Sequence, residues 1–204
     1  DGVAETRNIR SLKELGSDGG WDKLNAAVLK NCSDLLKVLE WNERNGVKLF
    51  RLGSMLPKST EYWLHELERW PECRELLNEA GEYAKERGMR LTIHPSHFMQ
   101  YASLKQQVVD NTHKEMDNVG LLLDALQLPR DHSAPINIHV GTTRPDKQEA
   151  MDRFVAQFDE ASDGVRDRLV VENDDWPGGY STEDLLYLYE RRGIPVTFDT
   201  HHWD

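Results

Sequence analysis

The run Leu169-Val170-Val171-Glu172-Asn173-Asp174-Asp175 constrains this chain more than any other stretch. An apolar segment that ends in several oxygen-bearing side chains is costly to bury without a partner of opposite charge. Residues 169–171 are continuous in Leu and Val, the pattern of a parallel strand covered on both faces, and Glu172 falls where that strand leaves the sheet. The pattern recurs three times: Ile136-Asn137-Ile138-His139 precedes Val140-Gly141, Arg90-Leu91-Thr92-Ile93-His94 precedes Pro95, and Pro195-Val196-Thr197-Phe198-Asp199 precedes Thr200-His201-His202. Four strands thus end in an imidazole or a carboxylate. A cation is the partner that such a set requires.

Between the strands, apolar residues repeat at helical spacing. Trp21, Leu24, Val28, Cys32, Leu35 and Leu39 mark one amphipathic helix, with Ser17 or Asp18 as its cap and Gly46 beyond its end. Val47–Leu52 reads as a strand. Helices are expected at about 60–69 and 72–87, separated by Pro71 and closed by Gly88, then at about 103–109 and 111–127, 147–161 and 182–192. Strands alternating with helices imply a parallel α/β sheet built from βαβ units. The rival, a doubly wound open sheet, usually carries a Gly-rich phosphate loop after its first strand, and neither GxGxxG nor GxxxxGK[ST] occurs here. The expectation is therefore a TIM-type (β/α)8 barrel, in which chemistry gathers at the C-terminal ends of the strands. Five of eight strands are visible, the first and last ones are missing, and residues 1–204 form a single partial barrel domain.

At 204 residues, with 38% hydrophobic and 30% charged, the chain has the size and composition of one globular domain. Residues 1–20 have neither the basic nor the apolar region of a signal peptide, and no apolar run is long enough for a membrane span, so a cytoplasmic location is expected. Cys32 and Cys73 fall in helical patterns without zinc spacing and are expected to be buried and reduced. A net charge of −11 argues against a nonspecific phosphate-binding surface. Divalent cations would offset the carboxylates locally, so a DNA enzyme is not excluded.

His94, His139, Glu172, Asp199 and His202 mix imidazole with carboxylate, a donor set that suits manganese, zinc or iron better than magnesium or calcium, while a bridging carboxylate suits a cluster of metals. Asp199 and His202, three residues apart, can face one site from a single turn.

Taken in order and spacing, His94-Pro95, Ile138-His139-Val140-Gly141, the Leu169–Asp175 run and Phe198-Asp199-Thr200-His201-His202 resemble the UV damage endonuclease family. The similarity is continuous from about Asn8 to Trp203 and includes Phe50-Arg51-Leu52-Gly53-Ser54 and Arg191-Arg192-Gly193-Ile194-Pro195. The resemblance implies a (β/α)8 barrel that binds up to three divalent metals, usually Mn2+, with Mg2+ or Zn2+ as alternatives. It implies incision of damaged double-stranded DNA 5′ to UV photoproducts and other lesions, leaving a 3′-hydroxyl and a 5′-phosphate; a monomer is expected. By position, His94, His139, Glu172, Asp199 and His202 match metal ligands, with Glu172, His94 and His139 carrying the catalysis. Ser96, His97 and Phe98 match the loop that probes the duplex, where the family commonly has Gly, Gln and an aromatic; His97, Phe98 and Asn173 are the expected DNA contacts. The family's His after its second strand has no counterpart in Leu56–Thr60, and His65 lies too far along to replace it.

Two other readings follow from the same residues. An apurinic-site endonuclease or sugar isomerase of the same barrel superfamily shares Asp199-Thr200-x-His202, but the His139 strand and Asn173-Asp174-Asp175 weigh against it. An inactive barrel fragment acting as a binding module would hold no metal stoichiometrically.

Overall fold

The computed structural model describes residues 19–53 and 62–202. Five strands alternate with helices: α1 (Gly20–Arg44), β1 (Leu49–Leu52), α2 (Trp70–Glu86), β2 (Arg90–Ile93), α3 (Gln106–Ala125), β3 (Ile136–Ile138), α4 (Lys147–Glu160), α5 (Asp163–Arg166), β4 (Leu169–Glu172), α6 (Thr182–Arg192) and β5 (Val196–Thr197). Hydrogen-bonded neighbours follow chain order, β1-β2-β3-β4-β5. The pairs β2–β3, β3–β4 and β4–β5 are parallel. A parallel sheet whose strands pair in chain order, with a helix between each pair, is the topology of a (β/α)8 barrel. Five of that barrel's eight strands are present among the described residues. No helix among them is long and apolar enough to cross a membrane.

The chain divides into two compact units, residues 1–92 with 121–129 and residues 93–120 with 130–204. In the first, α1 buries Leu24, Val28, Cys32, Leu35 and Leu39 of the stripe expected from the sequence, but Trp21, in its first turn, is 44% exposed. Its proposed caps, Ser17 and Asp18, lie outside the described residues; Gly19 precedes the first turn. Cys32 and Cys73 are free and buried. Pro71 does not separate two helices. It opens α2, where its missing N–H belongs to the first turn and costs no hydrogen bond. The helix expected over 60–69 reduces to one 3-10 turn, Leu64–Glu66, with Leu64 and Leu67 buried; residues 54–61 lie outside the described region. Helix α2 meets the chain just past α3 backbone to backbone: a Cβ on Gly81 would stand 1.9 Å from the carbonyl oxygen of Leu126.

The second unit carries the site. The two helices expected over 103–109 and 111–127 are one helix, α3, because nothing at Asp110 breaks the turn. Gln106 donates to Asp110 at 2.8 Å and Gln107 to Asn111 at 3.0 Å, four-residue pairs that brace the exposed face. Helix α5 has a single turn and no periodic signal in the sequence. Ile136 pairs with Leu169, Asn137 with Val170 and Ile138 with Val171; Val171 then pairs with Val196 and Glu172 with Thr197. All four residues of β4 are buried, as a strand covered on both faces requires.

Candidate metal centre

Paired residues of neighbouring parallel strands point to the same face, and alternate residues along a strand point to opposite faces. Ile93 pairs with Ile136, so His94 shares a face with Asn137 and, two residues on, with His139. The pairings Asn137–Val170 and Glu172–Thr197 carry that face to Glu172 and, continued past the strand ends, to Asp174 and Asp199. The opposite face takes Ile136, Ile138, Leu169 and Val171, each at most 2% exposed. The strand pattern therefore sends the apolar residues one way and His94, His139, Glu172 and Asp199 the other.

Glu172 is the centre of the cluster and is 3% exposed. His94 Nε2 lies 2.5 Å and His139 Nε2 3.0 Å from its Oε1. The Asn137 side-chain amide donates to its Oε2. One ligand atom from each of His94, His139 and Glu172 falls within 4.8 Å of the others. His202 extends the row: ring centroids are 5.5 Å apart for His94 and His139 and 5.6 Å for His139 and His202, while His202 Nε2 stands 3.7 Å from Asp199 Oδ2. All five expected ligands are thus gathered at the C-terminal ends of the strands in this unit.

The far side of each imidazole is held by an oxygen. His94 Nδ1 is 2.9 Å from the Pro95 carbonyl oxygen and His202 Nδ1 is 2.9 Å from that of Asn173. A carbonyl only accepts, so these Nδ1 atoms carry protons, and Nε2 is the nitrogen turned toward the carboxylates and open to a metal once it is free of a proton. His139 Nδ1 lies 2.9 Å from Asp174 Oδ1, a charge contact off the line of a directed hydrogen bond. Imidazole nitrogens this close to carboxylate oxygens need a positive charge between them, which a proton or a metal ion can supply. Buried Asn137 Oδ1 and His139 Nδ1 have no directed partner either. The donor set of imidazole nitrogens and carboxylate oxygens fits a divalent transition metal.

The electrostatics agree. Burial lowers the pKa of His139, but Asp174 and Glu172 more than offset it and push it up to about 9. Burial likewise opposes ionisation of Glu172, and the hydrogen bonds from His139 and His94 overcome that, holding its carboxyl well below the usual range. The cluster is built around a permanent carboxylate.

Asn173 is 3% exposed and faces the protein. Its amide donates to the carbonyl of Asp199 at 3.1 Å and its Oδ1 accepts from the Asp199 N–H at 2.8 Å, so it clamps the segment that carries Asp199 and His202. After β2, Met99 N–H donates to Ser96 O and turns the loop outward; His97 and Phe98 are exposed, their rings 4.1 Å apart, with Phe98 63% exposed. Gly141, at φ +99°, lets the loop after β3 pass Gln100, whose Cγ a Cβ would approach to 2.9 Å. Asn137 and Asp174 are the site residues to which sequence reading assigned no ligand-holding role. The signal for Asn137 was its spacing, two residues before His139 and hence on the same face. Leu56–Thr60, where the family's further His would fall, lies outside the described residues.

A model of the UV-endonuclease UvdE family matches residues 4–204. A UV-damage endonuclease of Neurospora crassa is 36% identical over 176 residues, 85% of this chain and 26% of that protein. A UV DNA damage endonuclease of Clostridium perfringens is 30% identical over 198 residues, 97% of this chain and 47% of its own. The crystal structure of SacUVDE superimposes with a TM-score of 0.80 at 28% identity, covering 98% of this chain and 65% of that one. The chain spans less than half the length of those two curated relatives. It belongs to the UvdE family.

Proposed function

We propose that this member of the UvdE family forms the metal-binding part of an endonuclease that cuts the backbone of double-stranded DNA 5′ to UV photoproducts and other lesions, leaving a 3′-hydroxyl and a 5′-phosphate. One observation carries the reading: His94, His139 and His202 each have an oxygen behind Nδ1 and a carboxylate before Nε2, around the buried Glu172. His94, His139, Glu172, Asp199 and His202 would hold the divalent ion or ions, Mn2+ foremost, with Mg2+ and Zn2+ as alternatives. Bound there, such an ion supplies Lewis-acid polarisation of a phosphoryl oxygen and a water acidic enough to attack at neutral pH.

The protein's own groups do the rest. Asn137 fixes Oε2 of Glu172, which leaves Oε1 to face both imidazoles. Asp174 and Asn173 orient His139 and His202, respectively. Phe98 offers a stacking face outside the protein, where an aromatic wedge fills the gap left by an unstacked base, and damaged duplex yields that base at lower cost. The relatives' names, UV-damage endonuclease, support UV lesions as the substrate class. With a net charge of −11, approach to DNA relies on cations at the centre to offset the carboxylates. The chain is read as acting as a monomer.

The test is nicking of UV-irradiated and unirradiated supercoiled plasmid with Mn2+, by this chain and its Glu172→Gln variant. Selective nicking of irradiated plasmid that disappears in the variant is the expected result. Undiminished nicking by Glu172→Gln would remove the cluster from the mechanism.

A further inference from the structure

Beside the metal centre lies a cleft of about 140 Å³ lined by Asn173, Asp174, Trp176, Thr182 and His202, among others. It is well below the roughly 300–1,000 Å³ of clefts that bury drug-sized ligands, and at about 30 Å³ per water it holds roughly four or five waters. Asp174 and His202 belong to both the cleft and the metal centre, so whatever enters the one abuts the other.

Its rim is Trp176, 45% exposed. The indole is held out by a tight turn. Asp174 N–H donates to Tyr180 O at 2.9 Å, Gly179 N–H to Trp176 O at 3.0 Å, and Tyr180 N–H to Asp174 Oδ2 at 2.8 Å. Gly179 has no room for a side chain, since a Cβ would come within 2.5 Å of Asp174 Cβ, and Gly178, at φ +89°, passes under the indole with its Cβ position 3.6 Å from the ring. The turn therefore fixes the backbone that presents Trp176 before anything binds, so the loop loses little entropy on binding. Of the other polar groups, Tyr180 Oη is taken by Thr142 O at 2.9 Å and Ser181 Oγ caps α6, while the buried Thr182 hydroxyl has no partner.

We propose that this cleft takes the nucleotide next to the phosphate held at the metal centre, with its base stacked on Trp176 and a polar edge bonded to the Thr182 hydroxyl. The proposal rests on the endonuclease reading and adds to it a second stacking residue, on the loop after β4, separate from Phe98 on the loop after β2. A planar base suits the room, the exposed indole face and the single unmet hydroxyl. Continuity with Asp174 and His202 places that base within reach of the backbone to be cut.

The experiment uses labelled duplexes carrying a UV photoproduct, with 2-aminopurine at successive positions around it, binding to this chain in Mn2+. The wild-type chain should quench 2-aminopurine at one flanking position. Trp176→Ala should abolish that quenching and raise the Kd roughly tenfold, the loss expected for one stacked base; Trp176→Phe should restore most of both. Thr182→Val should weaken binding without abolishing quenching. Mn2+ uptake and melting temperature should be unchanged in Trp176→Ala. Equal affinity and quenching for wild type and Trp176→Ala would overturn the cleft while leaving the endonuclease reading intact. Loss of Mn2+ uptake in Trp176→Ala would reassign the residue to support of the metal centre and overturn it too. Failure of the wild-type chain to bind any of the duplexes would overturn the endonuclease reading itself, and this proposal with it.

Discussion

Replacing Asn173 by Ala separates two roles for this residue, contact with DNA and support of the site. In the structure its amide makes two hydrogen bonds to one residue, donating to Asp199 O at 3.1 Å and accepting from Asp199 N–H at 2.8 Å, and it is 3% exposed. A buried neutral hydrogen bond contributes a net ~1 kcal/mol, and groups left dry and unpaired add to the loss. Asn173→Ala should therefore cost about 2–3 kcal/mol. For a chain of this size each kcal/mol moves the melting temperature by roughly 2–4 °C, so the variant should melt about 4–12 °C lower by calorimetry. Because the freed segment carries Asp199 and His202, Mn2+ affinity should fall in the same variant. The reasoning is refuted if Asn173→Ala melts as the wild type does and loses only DNA affinity, since that pattern belongs to a side chain that faces the duplex.

Three further outcomes follow from the packing and charges. Burial raises the Glu115 carboxyl to about 7, so the contribution of Glu115 to stability should fall as pH rises from 4.5 through 7 and stay flat above; Glu115→Gln should then stabilise the protein relative to wild type by about 1–3 kcal/mol at pH 8 and leave it unchanged near pH 4, checked by urea unfolding of both proteins at each pH. Gly81→Ala would gain about 1 kcal/mol in an unconstrained helix, yet its Cβ would meet Leu126 backbone at 1.9 Å, so a net loss of about 3 kcal/mol is expected and a stabilised variant would contradict the close approach. Phe98→Ala should shift stability by no more than ~0.5 kcal/mol, given its 63% exposure, while lowering the ratio of affinities for UV-irradiated over intact duplex in a competition assay.

The strands and their polar ends were legible because buried parallel strands are written as unbroken Val, Leu and Ile, and a His or Glu that interrupts such a run stands out. Where that contrast was missing, the reading went astray. Asp110 in α3 looked like a boundary, but a polar residue on an exposed helix face breaks nothing. The single turn of α5 is too short for any period, and the 3-10 turn at Leu64–Glu66 mimics a helix because Leu64 and Leu67 are three apart. In the site, the row of imidazoles could be listed in advance, but not the oxygens behind them. Pro95 and Asn173 contribute backbone carbonyls, which no side-chain pattern reveals. Asp174 sat in a run of acids that gave no sign which one turns toward His139. Asn173 was placed at the DNA by its position in that run, whereas its two bonds to Asp199 depend on the register between β4 and β5.

The central claim is that His94, His139 and Glu172 hold a divalent cation, and electron paramagnetic resonance titration of the metal-stripped chain with Mn2+ tests it most directly. At least one Mn2+ per chain should lose its free signal with the wild type, and that binding should vanish in Glu172→Gln, a variant that keeps the shape of the side chain and removes only its charge. Binding should weaken as pH falls below about 9, because Mn2+ must displace the proton of His139. A wild-type chain that takes up no stoichiometric Mn2+, or a Glu172→Gln variant that takes up as much as the wild type, would contradict the account.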